Sequence, residues 1–265
     1  MTRRHVTFPC AGETLVGTVD GSDGPVGLLI VSGGNEPRSG AFGWQATLAT
    51  EIAAKGYPVL RYDRPGAGDS SGENRGFADG RPHIAQAQDA FFAACPSLGR
   101  IIGFGNCDAA SALMLQSGAS CDALVLANPW IFDGDEGDQM PPEAIRARYL
   151  GKLTNARERG RLLRGGVSLK KLLAGLRRAA TPSQSASGLF QKMREGLTNY
   201  DGDCRIVIAG RDRTGQAFRN AWGEDRRIAV CEGADHAFSA AQDREWLTNQ
   251  LLSALEKQAR QLDMR

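Results

Sequence analysis

The sequence predicts an α/β domain built on a mostly parallel sheet with helices packed on its faces. Apolar runs with the length of buried strands alternate with helical segments from residue 26 to residue 127, and the alternation resumes at residue 205. Two alternating segments, His5–Cys10 and Thr14–Val19, come first and indicate a hairpin at a sheet edge. This order predicts a doubly wound sheet of eight strands.

The predicted elements follow one another at regular spacing. The strands of the sheet interior are predicted at Val26–Val31, Tyr57–Tyr62, Ile101–Phe104, Ala123–Ala127, Arg205–Ala209 and Arg226–Cys231. Helical spacing predicts helices at Phe42–Lys55, at Pro82–Cys95, from Ala109 onward and at Ser239–Leu262. A Gly-rich loop, Ser32–Gly40, follows the first of these strands. Its backbone N–H groups can hold an anion, and a plain flexible turn is the alternative.

The composition is that of a soluble globular protein. The 265 residues are 42% hydrophobic and 23% charged, and the net charge of +2 does not indicate a nucleic-acid partner. The segment Met1–Phe8 is too polar for a signal peptide, and no stretch approaches the roughly 20 apolar residues of a membrane span. The six cysteines lack CxxC or CxH spacing. This spacing argues against a zinc site. Several of the cysteines stand at the edges of apolar runs, as reduced core cysteines do, so we expect a cytoplasmic location, and we expect no cofactor.

The segment from Ile101 to Leu115 carries the clearest functional signal. An apolar strand turns into a helix within about two residues, with Cys107 at the apex and Gly105 and Ala109 on either side. So sharp a turn forces the apex residue into a positive φ, and small neighbours let the helix approach the strand. This is the pattern G-x-S-x-G with Cys in place of Ser and Ala in place of the second Gly. Taken alone, the pattern also fits a small cysteine in the core.

Two later strands each lead to a residue that could assist a nucleophile. Asp212 follows the strand that ends at Ala209, and His236 follows the last predicted strand. Because the carboxyl ends of parallel strands share one edge of the sheet, Cys107, Asp212 and His236 are expected to converge there. Their order along the chain is that of the α/β-hydrolase triad. His236 would take the thiol proton, and Asp212 would fix the tautomer of the imidazole.

Few rival residues exist for these two assisting roles. The chain has three histidines, and of the other two, His5 lies in the first strand and His83 at the start of a helix. Asp235 and Asp203 are rival acids, but Asp235 is adjacent to the histidine in sequence and Asp203 precedes its strand.

The oxyanion of the reaction needs backbone N–H donors near the nucleophile. The predicted donors are the N–H of Asp108, at the start of the helix, and one N–H from either Gly34 or Asn35 in the Gly-rich loop.

Residues 130–200 interrupt the alternation and are predicted to form a helical, basic cap inserted in a core of residues 1–129 and 201–265. Between Ala144 and Thr198 there are 13 Lys and Arg against 2 Glu and no Asp, an excess of 11 positive charges. The leucines of this segment can simply pack on the core while its arginines stay solvated. Alternatively, the cap faces an anionic amphiphile or a membrane surface. Four residues are predicted to contact the substrate: Arg38, Trp130, Arg177 and Arg178.

Four motifs resemble those of exosortase A system-associated hydrolase 1, a bacterial α/β-hydrolase family encoded beside exosortase and exopolysaccharide genes. They are Cys107-Asp-Ala-Ala-Ser-Ala112, Asn128-Pro-Trp130, Leu60-Arg-Tyr-Asp63 with Gly66-x-Gly-Asp-Ser70, and Gly233-Ala-Asp-His-x-Phe-Ser239. The resemblance covers nearly the whole chain and implies the α/β-hydrolase fold and a Cys-His-Asp site, but no substrate. The chain departs from the family at Gly33–Pro37, where the family has a Gly-Gly-Pro-Gln-Tyr-like loop.

These features predict a cysteine-dependent acyl hydrolase that acts on esters or thioesters through a thioester intermediate on the cysteine. Water would resolve this intermediate by hydrolysis, and another nucleophile would resolve it by acyl transfer. The expected partner is a small-molecule acyl substrate, anionic if the basic cap faces it. The alternative is a non-catalytic protein that keeps the scaffold and binds an anionic lipid or glycan. The presence of Cys107, Asp212 and His236 together argues against that alternative.

Overall fold

The computed structural model of the protein describes residues 2–132 and 188–264. Met1–Ile131 and Phe190–Arg265 form one compact unit built around a sheet. Most of the predicted basic cap, including Arg177 and Arg178, lies outside the described residues, so its helical structure stays a prediction.

The described residues form eight strands in a single sheet. The strands are β1 (Arg3–Cys10), β2 (Glu13–Asp20), β3 (Val26–Val31), β4 (Val59–Tyr62), β5 (Arg100–Asn106), β6 (Ala123–Ala127), β7 (Asp203–Ala209) and β8 (Ile228–Cys231). Their order across the sheet is β1-β2-β4-β3-β5-β6-β7-β8. The edge hairpin β1–β2 and the pair β2–β4 are antiparallel, and the other pairs are parallel. The predicted eight-stranded, mostly parallel sheet is confirmed.

Helices cover both faces of this sheet. The described helices are α1 (Trp44–Ala53), α2 (Arg81–Ala94), α3 (Asp108–Leu115), α4 (Gly188–Thr198), α5 (Arg213–Trp222) and α6 (Ala241–Asp263). Leu28 of β3 belongs to a core cluster with Leu48 of α1 and Leu251 of α6. The preceding residue, Gly27, faces the other way, where a Cβ would lie 2.7 Å from the Phe91 ring of α2. The doubly wound arrangement is therefore confirmed.

The final helix, α6, closes one face of the sheet. Leu247, Leu251 and Leu255 recur at every fourth position and are at most 1% exposed. They share the core cluster with Phe104 of β5 and Val125 of β6. Within the described ranges, no helix is long and apolar enough to cross a membrane.

Element boundaries differ from the predicted ones where the local backbone intervenes. α1 begins at Trp44 rather than Phe42, because Phe42 and Gly43 have φ values of 54° and 77° and cannot continue a right-handed helix. β4 begins at Val59, directly after Pro58, whose nitrogen has no hydrogen to donate to a neighbouring strand.

Candidate active site

Cys107 forms the turn between β5 and α3. Its φ of 62° and ψ of −125° lie in a strained region of the backbone map. The Cys107 N–H donates to the Ala127 carbonyl at 2.9 Å, and the Cys107 carbonyl accepts from the Trp130 N–H at 3.3 Å. A Cβ on Gly105 would lie 2.6 Å from the carbonyl carbon of Ala109. The positive φ and the close approach of helix to strand are those expected for the apex of such a turn.

Asp212 caps α5, a helix that the sequence pattern did not predict. Its Oδ2 accepts the Gly215 N–H at 2.8 Å, and the same oxygen lies 3.1 Å from Nδ1 of His236. The apolar face of α5 is short, since Phe218 and Trp222 are its buried large residues. An Asp at the position before the helix is the local signal that could have located α5.

His236 connects the acid to the thiol. Its ring contacts Asp212 through Nδ1, and a side-chain hydrogen bond joins it to Cys107. The hydrogen bond to Asp212, followed by that to Cys107, raises the pKa of His236 to about 10, although burial opposes the shift. The raised pKa favours the protonated ring, whose Nδ1 lies toward the carboxylate. The structure thus brings Cys107, His236 and Asp212 together.

The rival acids make other contacts. The Asp235 carboxylate accepts the backbone N–H groups of Ala237 at 3.2 Å and of Ser239 at 2.9 Å, and it also accepts the Ser239 hydroxyl. Its hydrogen bonds to Ser239 lower the pKa of Asp235. Asp203 pairs with Lys257 at 2.6 Å. Both carboxylates therefore have partners other than the His236 ring.

The predicted oxyanion donors lie in one cluster beside the nucleophile. Asp108 is the first residue of α3, and both of its carboxylate oxygens lie 2.9 Å from the Gly34 nitrogen. Arg64 donates from Nη2 to Asp108 Oδ2 at 3.2 Å and also to the Gly34 carbonyl. The Asn35 side chain accepts from Asn74 at 2.7 Å. The Gly34 N–H therefore already has a partner in the Asp108 carboxylate. The Asp108 N–H belongs to the first turn of α3, where N–H groups have no acceptor within the helix.

Arg38 is held in an ion-pair network. Its guanidinium donates to Asp63, which is fully buried, and to Asp69 at 2.8 Å. Its Nε donates to Thr18 at 3.0 Å. These contacts give Arg38 a structural role in the Gly-rich loop, and its predicted contact with substrate stays a prediction.

The backbone of Trp130 is hydrogen bonded to α3 and to the turn before it. Its carbonyl accepts the Ser111 hydroxyl at 2.7 Å, and its N–H contacts Cys107 as described above. Arg177 and Arg178 fall outside the described residues. Among residues 2–132 and 188–264, no group of three or more His, Cys, Asp or Glu side chains could hold a metal ion.

Two asparagines without a predicted role contact the backbone of His236. Asn106 donates from Nδ2 to the His236 carbonyl at 3.0 Å. Asn128 Nδ2 lies 3.1 Å from Asn106 Oδ1 and 3.3 Å from the same carbonyl, and Asn128 Oδ1 accepts the Ala209 N–H at 2.8 Å. A signal was present in the sequence, since each Asn stands at the carboxyl end of an apolar strand, the edge where ligands bind in such sheets.

A family model described as the alpha/beta hydrolase family matches residues 28–248. The chain belongs to the alpha/beta hydrolase family. The matched region runs from β3 into α6 of this alpha/beta hydrolase and includes Cys107, Asp212 and His236. A search of curated proteins finds no significant match.

Solved structures with the same fold cover nearly all of this alpha/beta hydrolase. The alpha/beta hydrolase GrgF from Penicillium sp. sh18 has 18% identity and a TM-score of 0.62, covering 97% of this chain and 99% of that chain. The Pyrococcus furiosus esterase Pf2001 has 16% identity and a TM-score of 0.63, covering 97% of this chain and 91% of that chain. The thioesterase domain from the curacin biosynthetic pathway has 16% identity and a TM-score of 0.56, covering 96% of this chain and 100% of that chain. At such identities the likeness establishes the fold alone.

Proposed function

We propose that this alpha/beta hydrolase cleaves ester or thioester bonds with Cys107 as the nucleophile, His236 as the acid and base, and Asp212 as the orienting carboxylate. The observation that carries the proposal is the position of His236, which lies 3.1 Å from Asp212 and is hydrogen bonded to Cys107. The positive φ of Cys107 supports it, because strained backbone at such a turn occurs where a nucleophile is presented.

The proposed reaction has two steps. The Cys107 thiolate attacks the acyl carbon, and the imidazolium of His236 protonates the leaving alcohol or thiol as its bond breaks, which leaves a thioester acyl-enzyme. His236 then takes a proton from water, the resulting hydroxide attacks the thioester, and Cys107 leaves as the thiolate. Asp212 keeps Nδ1 of the ring protonated throughout. The N–H of Asp108 is proposed as one donor to the oxyanion, while the Gly34 N–H would first have to leave the Asp108 carboxylate.

The nucleophile limits the class of bond that is cleaved. A thiolate is itself a good leaving group, so an attack on an amide would mostly reverse, whereas esters and thioesters have leaving groups that compete with it. The fold shared with proteins named as an esterase and a thioesterase is in line with this substrate class. An acceptor other than water would resolve the same intermediate by acyl transfer.

Finer parts of the proposal rest on the sequence. The four motifs support a role beside an exosortase or exopolysaccharide system. Several cysteines stand at the edges of apolar runs, as reduced core cysteines do, and this supports a cytoplasmic protein. The excess of positive charge between Ala144 and Thr198 supports an anionic acyl substrate or peripheral contact with a membrane.

Mass spectrometry of the intact protein, combined with ester and thioester hydrolysis assays, tests the proposal. We expect the wild type to accumulate an acyl adduct that maps to Cys107 and is released by hydroxylamine, and we expect Cys107→Ala to lose both adduct and turnover. Cys231→Ala, which also removes a partly buried thiol, serves as the matched control and should keep both. Turnover of Cys107→Ala at the wild-type rate would reject the nucleophile. A wild type that binds acyl compounds without cleaving them would favour the binding-protein alternative.

A further inference from the structure

Asn128 joins the ends of the two strands β5 and β7 to the loop that carries His236. It follows β6 and accepts the N–H of Ala209, the last residue of β7, at 2.8 Å. Its Nδ2 reaches Asn106, the residue before Cys107, at 3.1 Å and the His236 carbonyl at 3.3 Å. One side-chain amide therefore contacts the strand that leads to Asp212, the strand that leads to Cys107 and the loop that holds His236.

The hydrogen-bond partners determine the orientation of both amides. The Ala209 N–H can only donate, so the Asn128 atom that faces it is the oxygen. The His236 carbonyl can only accept, so the nitrogens of Asn106 and Asn128 both face it. The remaining contact, between Asn128 Nδ2 and Asn106 Oδ1, is then a donor facing an acceptor.

The site is built to hold an asparagine at position 128. Asn128 is fully buried, and its φ of 43° lies in the left-handed region that Asn tolerates better than most residues. A Cβ on Gly215 would lie 2.6 Å from Asn128 Oδ1, so the first turn of α5 packs directly on the amide. That same turn receives the cap from Asp212.

We propose that Asn128, acting with Asn106, is the positioning residue of this active site. It fixes the backbone carbonyl of His236 and so holds the imidazole in line between Asp212 and Cys107. The inference rests on the proposed function, because the alignment matters only if these three residues react together. A misplacement of about 1 Å in such an arrangement can cost about 100-fold in rate.

Two variants separate positioning from general stability. Asn128→Asp keeps the size of the side chain and the acceptor for the Ala209 N–H. Its second carboxylate oxygen, however, would face Asn106 Oδ1 and the His236 carbonyl, which accept N–H groups from Asn128 in the wild type. Asn106→Ala removes the other donor to the His236 carbonyl and leaves the Asn128 contact with Ala209. The matched control is Gln88→Glu, because Gln88 is a buried amide that donates to the Ala119 carbonyl at 2.8 Å, away from these contacts.

The readouts are kcat and KM for an activated ester, the melting temperature, and the pKa of His236 from its ring proton resonances. The protein has three histidines, so the spectrum is simple. Burial lowers the pKa of His83 to about 4, which makes that resonance easy to distinguish. We expect both variants to lower kcat by about 100-fold with little change in KM. The pKa of His236 should fall toward about 6.5, the ordinary value, in Asn106→Ala, which adds no charge.

Gln88→Glu should lose stability yet keep kcat and the His236 pKa. A folded Asn128→Asp or Asn106→Ala with an unchanged kcat and an unchanged His236 pKa would overturn the inference and leave the proposed function standing. If Asn128→Asp does not fold, Asn106→Ala decides the question. A wild type without Cys107-dependent turnover would instead overturn the proposed function, and the His236 pKa in the variants would still decide whether the asparagines position the ring.

Discussion

The Asp108 carboxylate receives the Gly34 N–H with both of its oxygens, each 2.9 Å from the nitrogen. The contact fastens the loop after β3 to the first turn of α3, directly beside Cys107. Arg64 completes the cluster at 3.2 Å from Asp108, with a side chain that is 2% exposed. A guanidinium buried to this degree depends on its carboxylate partner, since an uncompensated buried charge is strongly destabilising.

Asp108→Ala is expected to lower the free energy of unfolding by about 3 kcal/mol, because it leaves the buried Arg64 without a neighbouring carboxylate. Urea unfolding of the purified protein measures the change. The control is Glu256→Ala, which removes an exposed pair with Arg260 at 3.9 Å and should cost no more than about 0.5 kcal/mol. Equal losses in the two variants would mean that the Arg64–Asp108 pair adds nothing beyond a surface contact.

Cys107 is expected to react with iodoacetamide faster than any other cysteine at neutral pH. Burial raises the pKa of the other five, which are Cys10, Cys95, Cys121, Cys204 and Cys231. Because the thiolate is the reactive form, those five should react slowly, whereas Cys107 has the His236 imidazolium beside it. Limited alkylation followed by peptide mass spectrometry gives the rates. His236→Ala should slow Cys107 alone, and uniform labelling of all six would contradict the activation of Cys107 by His236.

Asp212→Asn is expected to lower kcat/KM by about 10³- to 10⁴-fold, because the amide no longer holds the imidazole in the required tautomer. Asn is also a good helix cap, so α5 should remain intact and the loss should not reflect unfolding. Asp235→Asn removes a carboxylate that only caps its own turn, and its loss should stay below about tenfold. Steady-state kinetics of the two variants makes the comparison. Comparable losses of kcat/KM in the two variants would mean that Asp212 is not the residue that orients His236.

The stability that His236 contributes is expected to depend on pH. Its pKa in the folded protein, about 10, lies above the ordinary value, so folding favours the protonated ring. That contribution is complete below about pH 6.5 and disappears as the pH rises through the folded value. Urea unfolding of wild type and His236→Ala at about pH 6, 8 and 10.5 should therefore give a difference that shrinks with rising pH. A difference that stays constant over this range would rule out the raised pKa.

The basic segment between Ala144 and Thr198 leads to a prediction about salt. If it faces an anionic substrate, kcat/KM for a phosphate-bearing acyl donor should fall as salt shortens the Debye length to about 8 Å near physiological ionic strength. A neutral ester of the same acyl length should respond little, and Arg177→Ser with Arg178→Ser should flatten the first response. The same salt response for both substrates in the wild type would mean that the charges of the segment do not contact the substrate.

Features that depend on neighbouring residues could be predicted from the sequence. The turn at Cys107 follows from small residues two positions away on either side, and the strands follow from short apolar runs. The approach of Asp212 and His236 follows from a rule of parallel sheets, in which strand ends share one edge. Each of these inferences needs only the local pattern or the strand order.

Features that depend on the placement of distant residues could not be predicted in this way. The contact of Asp108 with Gly34 joins two loops whose separation is decided by the packing of β3 against β5. The amide of Asn128 reaches Ala209 because β6 and β7 are neighbours in register, and a polar residue after a strand does not reveal its partner. Helix α5 was not predicted because Phe218 and Trp222 are its only large buried residues, too few to give a clear helical pattern of apolar residues.

The order of the elements separates the proposed reactive residues from the helix that covers the core, because α6 follows β8 and the loop that carries His236. Every residue proposed for the chemistry has left the ribosome before Leu247, Leu251 and Leu255 emerge. Until then, the apolar side chains of β3, β5 and β6 that these leucines cover stay open to water and to other nascent chains. A chain cut or stalled before α6 would therefore carry the proposed reactive residues on an unfinished core, with its apolar surface open to aggregation.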